Sequence, residues 1–238
     1  MVTNVRNYAP IILIAVILGA SSVYLYYRWF STSTQDKIIE GELIDLPDPR
    51  FESEVSLEEA ILRRRSTREF SNKPVTIEEV SQLLWAAQGI TSERGYRTAP
   101  SAGALYPLEV YVVVGYVDDL SLGVYWYRPS EHALVKVTGG DVVRGLTEAA
   151  LMQQSVSEAA VNLVITAVYS GTTQKYGDRG VRYIHLEAGH AAQNICLQAT
   201  ALDLGAVTVG SFSDEGVKWT LKLPEEEQPL YIIPVGRK

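Results

Sequence analysis

The stretch from Arg182 to about Leu204, RYIHLEAGHAAQNICLQATALDL, constrains the fold more than any other part of this chain. It is long, rich in alanine and nearly uncharged, and it stops at Gly205, whose missing Cβ suits a helix C-cap. A helix this apolar around its circumference belongs in a core or at a subunit interface. Around it lie β-branched and aromatic runs bounded by turn residues: Leu108 to Val114, Gly123 to Tyr127, Leu134 to Thr138 and Val161 to Tyr169. They read as strands, the middle pair forming a hairpin over Pro129 to His132. Ser56 with Glu59, and Thr76 with Glu79, have capping-box spacing and predict two short helices, ending near Arg64 and at Gly89. A last strand, Leu230 to Val235, follows a short helix that Asp214 would cap. Strands and helices mix without strict βαβ alternation, which predicts an α+β fold with helices flanking a mixed sheet rather than a doubly wound one.

The charge is unevenly placed. Of 21 basic and 28 acidic side chains, net −7, only Arg6 and Arg28 fall in the first thirty residues, so the remainder carries −9. That acidity argues against a nucleic-acid partner. With 47% hydrophobic and 21% charged residues the chain can bury a core, as one domain or at most two, and disorder is excluded. One cysteine, Cys196, and three histidines put both a disulfide and a Cys/His zinc cage out of reach, and no metal site is expected. Between Ala9 and Tyr27 there is no charge for about 19 residues, nearly the hydrocarbon thickness of a bilayer as a helix. Tyr8, Tyr24, Tyr26, Tyr27 and Trp29 flank it with amphipathic rings. Residues 1–30 therefore read as a single-pass transmembrane anchor, the alternative being a signal peptide cleaved near Gly19 to Ser22. One Arg on each side leaves the orientation open. Residues 31–51 are polar, then acidic, and contain Pro47 and Pro49; they read as a linker to a domain at 52–238.

Four constellations could carry chemistry. Arg63, Arg64, Arg65 and Arg68 crowd into six residues of an acidic domain, with Ser66 and Thr67 between them. Guanidinium forks pair bidentately with phosphate oxygens and a hydroxyl adds a donor, although a solvated basic helix end reads equally well. Thr98 to Pro107, TAPSAGALYP, is a run of small residues that would let backbone approach a flat ligand; an ordinary loop is the rival reading. Gly210-Ser211-Phe212 leaves a strand with free backbone N–H groups and an aromatic face, or is simply a tight turn. Lys175-Tyr176 sits in a polar loop, GTTQKYGDRGVRY, and could serve as proton donor and acceptor if burial lowered the Lys pKa; a surface Lys beside a half-buried Tyr is the plainer reading. Cys196 reads as a small buried hydrophobe, and His185 and His190 lie five apart, off a common helical face. No GxGxxG, GxxxxGK[ST] or GxSxG pattern is present, so Rossmann, P-loop and serine-hydrolase sites are not supported.

The order of these pieces is more specific than any one of them. RRRSTREF, LLWAAQGIT, APSAGALYPLEVYVV, KYGDRGVRYIHLEAGHAAQNICLQATALDLG, VGSFSD and a terminal PLYIIPVGR resemble the FMN-dependent nitroreductase superfamily. The closer similarity is to its SagB-type branch, which includes thiazoline and oxazoline dehydrogenases, and it covers roughly Ser56 to Arg237. The resemblance implies an α+β homodimer with FMN at the subunit interface, each flavin touched by both chains. By position, Arg64, Arg65, Ser66 and Arg68 match flavin and phosphate contacts, and Pro100, Ser101, Ala102 and Gly103 match the stretch reaching the flavin from the partner chain. Gly210 and Ser211 match the turn near the ring's N5 edge, Gln153 a polar flavin contact, and Arg237 a phosphate contact. Lys175 and Tyr176 stand where azoline dehydrogenases carry a proton-abstracting pair. The function implied is hydride exchange between flavin and a small organic substrate, with NAD(P)H as donor. The alternatives are oxidation of a peptide heterocycle and a non-catalytic, membrane-tethered flavin-binding module.

Overall fold

Runs such as LEVYVVV and VNLVITAV have no polar face to offer water, so the strands they form must be covered on both sides. The computed structural model describes residues 41–238 and shows that arrangement. The expected anchor and residues 31–40 of the linker lie outside the described residues. Among the described residues no helix is long and apolar enough to cross a membrane.

In chain order the elements are β1 (Leu43–Asp45), α1 (Leu57–Arg63), α2 (Ile77–Gln88), a 3-10 turn (Ala102–Ala104), β2 (Leu108–Val114), β3 (Gly123–Arg128) and β4 (Ala133–Gly139). Then come α3 (Val143–Ala149), α4 (Gln154–Glu158), β5 (Val161–Val168), α5 (Ser170–Tyr176), α6 (Arg179–Ala201), β6 (Leu204–Ala206), α7 (Asp214–Leu221) and β7 (Glu227–Arg237). Among the described residues seven strands form one sheet in the order β1-β4-β3-β2-β5-β7-β6. The expectation of a mixed sheet is corrected: every strand pair is antiparallel. The reason is topological. β5 and β6 run in the same sense, but β7 lies between them and runs against both, leaving parallel pairing only to single bridges at Ser66–Ala206 and Val75–Val117.

Alternation along β2 divides the core. Leu108, Val110, Val112 and Val114 join Leu83, Leu84, Ile184, Ala188, Ala191 and Ile195 under α2 and α6. Tyr111 and Val113 face the other way, toward Leu146, Val156, Val217 and Leu221 from the shorter helices. The sheet is thus the middle of three layers, and α6 buries one stripe in its principal core.

The residues expected to form the end of the linker are part of this sheet. β1 pairs with β4, Leu46 is buried, and the Pro47 carbonyl accepts a hydrogen bond from Ser81 at 2.6 Å. Ladder bonds along a short edge strand are what a polar, proline-bearing sequence can still supply. Three local expectations also change. Gly205 is not a C-cap: α6 ends at Ala201 with Leu202 as its cap, Asp203 takes the left-handed turn at φ 56°, and Gly205 enters β6, where a Cβ would strike the Thr67 side chain at 2.6 Å. The α7 cap is Ser213, whose hydroxyl accepts from the Gly216 N–H, with Asp214 in the first turn. Lys175 and Tyr176 end a helix, α5, rather than lying in a loop.

Candidate functional site

Chain geometry gathers the expected site residues into two groups. The first is built where α1 ends. Ser56 caps that helix at the Glu59 N–H, while the Glu59 carboxylate turns to Arg63 at 2.9 Å instead of closing the capping box. Past the Arg64 cap the chain is extended, and Ser66 bridges to Ala206 while the Thr67 N–H donates to the Ala206 carbonyl at 3.0 Å. The arginine cluster is thereby fastened to β6, whose continuation runs to Gly210 and Ser211. There the Gln153 side chain donates from Nε2 to the Ser211 carbonyl at 2.8 Å and to Ala150 at 3.0 Å. Arg64, Ser66, Arg68, Gln153, Gly210 and Ser211 so belong to one edge of the sheet.

The charges within this group are not equivalent. Among the described residues Arg63 pairs with Glu59 and Asp203, while Arg64, Arg65 and Arg68 have no carboxylate partner. Arg65 turns its Nη1 onto the Leu62 and Arg64 carbonyls, at 2.9 and 2.8 Å, and closes the end of α1. Arg64 is half-buried and acts on Cys196, whose thiol is nonetheless pushed up by burial, the larger effect. Arg237 is different again. Its guanidinium holds both Glu79 oxygens at 2.8 Å and the Pro74 carbonyl at 3.1 Å, so it is committed to the start of α2 rather than to a ligand. Glu79 simultaneously completes the Thr76 capping box.

The second group forms around Gly103. With φ +65° it takes a conformation that disfavours side chains, and a Cβ placed on it would stand 2.6 Å from both Lys175 Nζ and Tyr176 Oη. Gly103 of the small-residue turn and the Lys-Tyr pair, 72 and 73 residues apart in sequence, therefore meet in one chain. Lys175 is exposed, so this chain alone does not supply the burial that its proton chemistry calls for. Tyr176 packs edge-on against Tyr183 with centroids 5.2 Å apart.

Beneath this turn lies a buried polar cluster that sequence reasoning missed. Glu187, on α6, is 3% exposed, and burial raises its carboxyl to about 7 against the opposing pull of a Ser101 hydrogen bond and the Arg97 charge. Arg97 donates to Gln88 at 2.9 Å and lies 4.7 Å over the Tyr106 ring; burial draws its own pKa down. Among the described residues Oε1 of Glu187 and Nε2 of Gln88 find no hydrogen-bond partner. The available signal was Glu187 itself, the one acid in the helix Arg179–Ala201. Glu187 and Cys196 are nine residues apart on α6, about 13 Å along the axis, which separates the turn from the arginine group.

A sheet covered on both faces, with an arginine-rich edge and a small-residue turn near opposite ends of one buried helix, defines a nitroreductase-like α+β protein. A model of the nitroreductase family matches residues 61–237, and the chain belongs to that family. It is an oxidoreductase of that family by descent. The chain is 46% identical over 198 residues to MJ1384 of Methanocaldococcus jannaschii, a protein assigned to the nitroreductases in its name, covering 83% of this chain and 98% of that one. A nitroreductase-named crystal structure from Anabaena variabilis superposes with a TM-score of 0.76 at 29% identity, over 85% of this chain and 43% of that longer one. A chain of the Escherichia coli microcin synthetase McbBCD complex, solved with truncated pro-MccB17 bound, superposes with a TM-score of 0.62 at 25% identity, over 85% and 80% of the two chains. That likeness agrees with the SagB-type branch the sequence resembles.

Proposed function

We propose that this protein is an FMN-dependent oxidoreductase that exchanges hydride with a small organic substrate, taking its electrons from NAD(P)H. The family as a whole is generally FMN-dependent. The observation that carries the reading to this chain is the group of guanidiniums that have no carboxylate partner among the described residues, Arg64 and Arg68 beside Ser66, fastened to the strand that leads to Gly210 and Ser211. This donor set fits a phosphate: two forks and a hydroxyl, with no acid paired to them among the described residues. Gly103 fits the other end of such a ligand, because its missing Cβ leaves backbone and the Lys175 and Tyr176 tips free to close on a flat ring. Arg65, engaged with the end of α1, plays a smaller part, and Arg237 none.

When bound, FMN supplies hydride acceptance and donation at N5. The chain's own residues do the rest. Arg64, Arg68 and Ser66 hold the phosphate, Gln153 keeps the Gly210-Ser211 turn in place, and Pro100 to Gly103 cover the ring of a second protomer's flavin. The homodimer is part of this proposal, as is a single-pass anchor at residues 9–27 that tethers the domain to a membrane.

A second reading is favoured by the meeting of Lys175 Nζ and Tyr176 Oη at Gly103. There the substrate would be a peptide-borne azoline: the pair would take the ring proton and the bound flavin would supply the acceptor for the hydride from the neighbouring carbon, leaving the aromatic azole and reduced flavin. The test begins with the visible spectrum of the purified full chain. Flavin bands near about 370 and 450 nm, with FMN released on denaturation, are the expected result. Protein that is colourless and takes up no added FMN would sink the proposal. With flavin present, Lys175→Ala separates the readings: unchanged acceptor reduction by NAD(P)H fits the first, and abolished azoline oxidation the second. A flavin that NAD(P)H reduces but no acceptor reoxidises over repeated turnovers would leave only a binding module.

A further inference from the structure

Pro47 and Pro49 have no backbone N–H, so the chain that follows β1 cannot extend its ladder, and the strap formed by residues 46–51 has to be held by side chains. Ser81, Gln82 and Trp85 of α2 hold it. The Gln82 amide accepts the Arg50 N–H at 2.8 Å and donates to the Arg50 carbonyl at 3.0 Å, and Trp85 meets Phe51 with ring centroids 5.5 Å apart. At Pro47 the holder is composite. The Ser81 hydroxyl donates to the Pro47 carbonyl at 2.6 Å, and His132 Nε2 stands 2.7 Å from Ser81 Oγ and 3.1 Å from the same carbonyl. Behind the imidazole, the Tyr127 hydroxyl lies 2.9 Å from His132 Nδ1. Ser81 and Tyr127 are each 1% exposed, and His132 takes a left-handed φ of 47° in the β3–β4 hairpin turn, a conformation that histidine tolerates better than most residues.

The hydrogen count fixes the charge of the imidazole. Ser81 has one hydroxyl proton and gives it to Pro47, so Ser81 Oγ takes a donor from His132, which is Nε2–H. Nδ1 is then bare and accepts the Tyr127 O–H, which has no other hydrogen-bond partner among the described residues. Every group is satisfied only while His132 is neutral. A second proton on the ring would set Nδ1–H against a buried phenol O–H, and burial, which pushes the phenol pKa up, keeps that O–H in place. We propose that His132 is a pH-sensitive clasp: neutral, it fastens Pro47 to α2 through Ser81, and on gaining a proton it turns out to solvent and lets the strap lift. Lifting removes one wall of a cavity of about 550 Å³ between Phe51, Trp85 and Gln198. The clasp stands apart from the flavin function proposed above. Burial holds the imidazole below its ordinary 6.5, against the pull of the Pro47 carbonyl and the Asp48 charge. Its contribution is therefore fully present above about 6.5 and is lost as pH falls through the lower folded value. The other charged or titratable groups around it are Asp45 of β1, opposite Ala133 in the ladder, Glu78 one turn before Ser81 on α2, Tyr127 of β3, and Arg128 and Glu131 of its own hairpin, paired at 2.6 Å. Arg97 acts on Tyr127.

The test is amide hydrogen exchange at Leu46 and Arg50 in the full chain, each rate divided by the intrinsic rate at that pH, with Ile184 and Ile195 of α6 as the reference. These two amides flank the prolines, the Leu46 N–H bonded to the His132 carbonyl at 3.2 Å and the Arg50 N–H to Gln82. Between about pH 7.5 and 5 the wild-type rates at both should rise about tenfold relative to α6. His132→Asn, which suits the left-handed turn, should leave them fast and flat with pH. Tyr127→Phe removes the opposing O–H and should move the midpoint of the rise to higher pH, a shift that a purely structural histidine would not give. Should a variant fail to fold, wild type alone decides. His132 is one of three histidines, so its ring C–H resonance can be followed by NMR, and its titration midpoint should coincide with that of the exchange. Flat wild-type rates, an unaltered rise in His132→Asn, an unmoved midpoint in Tyr127→Phe, or ring and strap midpoints that disagree overturn the clasp.

Discussion

At Gly103 a single hydrogen atom decides how closely two chemically useful side chains can approach a backbone. Replacing it with a methyl adds left-handed strain of about 1 to 2 kcal/mol, while the clash itself falls on the mobile ends of Lys175 and Tyr176. Gly103→Ala is therefore expected to lower stability only by that amount in a urea melt, and to reduce turnover far more than stability. The arginines divide by their partners in the same way. Arg64→Ala and Arg68→Ala each remove a charge-assisted phosphate contact of about 1.5 to 3 kcal/mol, so FMN titration should show affinity weakened about tenfold or more. Arg63→Ala breaks an exposed pair with Glu59 and should change affinity little. Equal occupancy in all three variants would remove the phosphate assignment. Spacing made the cluster legible in the sequence, but not which guanidiniums were already engaged, because Glu59, Asp203 and the Leu62 carbonyl reach them only in the folded chain.

Among the elements, the start of α2 shows how one pair can join distant segments. Glu79 closes the Thr76 capping box and holds Arg237, the second-last residue, so β7 and α2 share an ion pair that is largely shielded from water. Arg237→Ala should cost about 1 to 3 kcal/mol of stability and leave FMN affinity within twofold, and loss of affinity without loss of stability would return Arg237 to the phosphate site. At the other edge of the sheet, Leu46 is buried behind β1. Leu46→Ala is expected to destabilise by about 2 to 5 kcal/mol in urea unfolding, which a true linker residue would not do. The strand runs and both cap signals were readable because periodicity and capping are local. β1, β6 and the short helices α3 and α4 were not, since three-residue edge strands and single-turn helices exist by the partners they find rather than by propensity.

For the whole molecule the Glu187 carboxyl sets a pH dependence. Its folded value of about 7 lies above the unfolded 4.5, so its contribution is fully present below about 4.5 and is lost as pH rises through 7. The melting temperature of the FMN-free protein should accordingly fall between pH 5 and 8 more steeply in wild type than in Glu187→Gln. Parallel curves would show that the group does not titrate in this range. Exposed apolar side chains bear on the proposed dimer: Leu57, Ile61 and Leu62 of α1 are 61%, 56% and 72% exposed, and Leu186 of α6 is 54% exposed. Covering them with a second copy removes that surface from water. Ile61→Glu should then yield monomers by analytical ultracentrifugation together with loss of flavin, and a wild-type monomer that keeps its flavin would rule the dimer out.

Local chemistry was enough to determine the α+β class, the strand runs from β2 to β5 and the N-caps of α1 and α2, and the family was legible as a resemblance in the order of several short motifs. Each of these follows from alternation, capping spacing or a run of residues adjacent in the chain. Tertiary structure alone decided that the sheet is antiparallel throughout, because β7 inserts between strands distant in sequence. It also decided that Arg237 answers Glu79, and that Gly103 meets Lys175 and Tyr176 above a buried Glu187. Those contacts join residues separated by between 72 and 158 positions, and the separation between partners is what a pattern read along the chain does not encode.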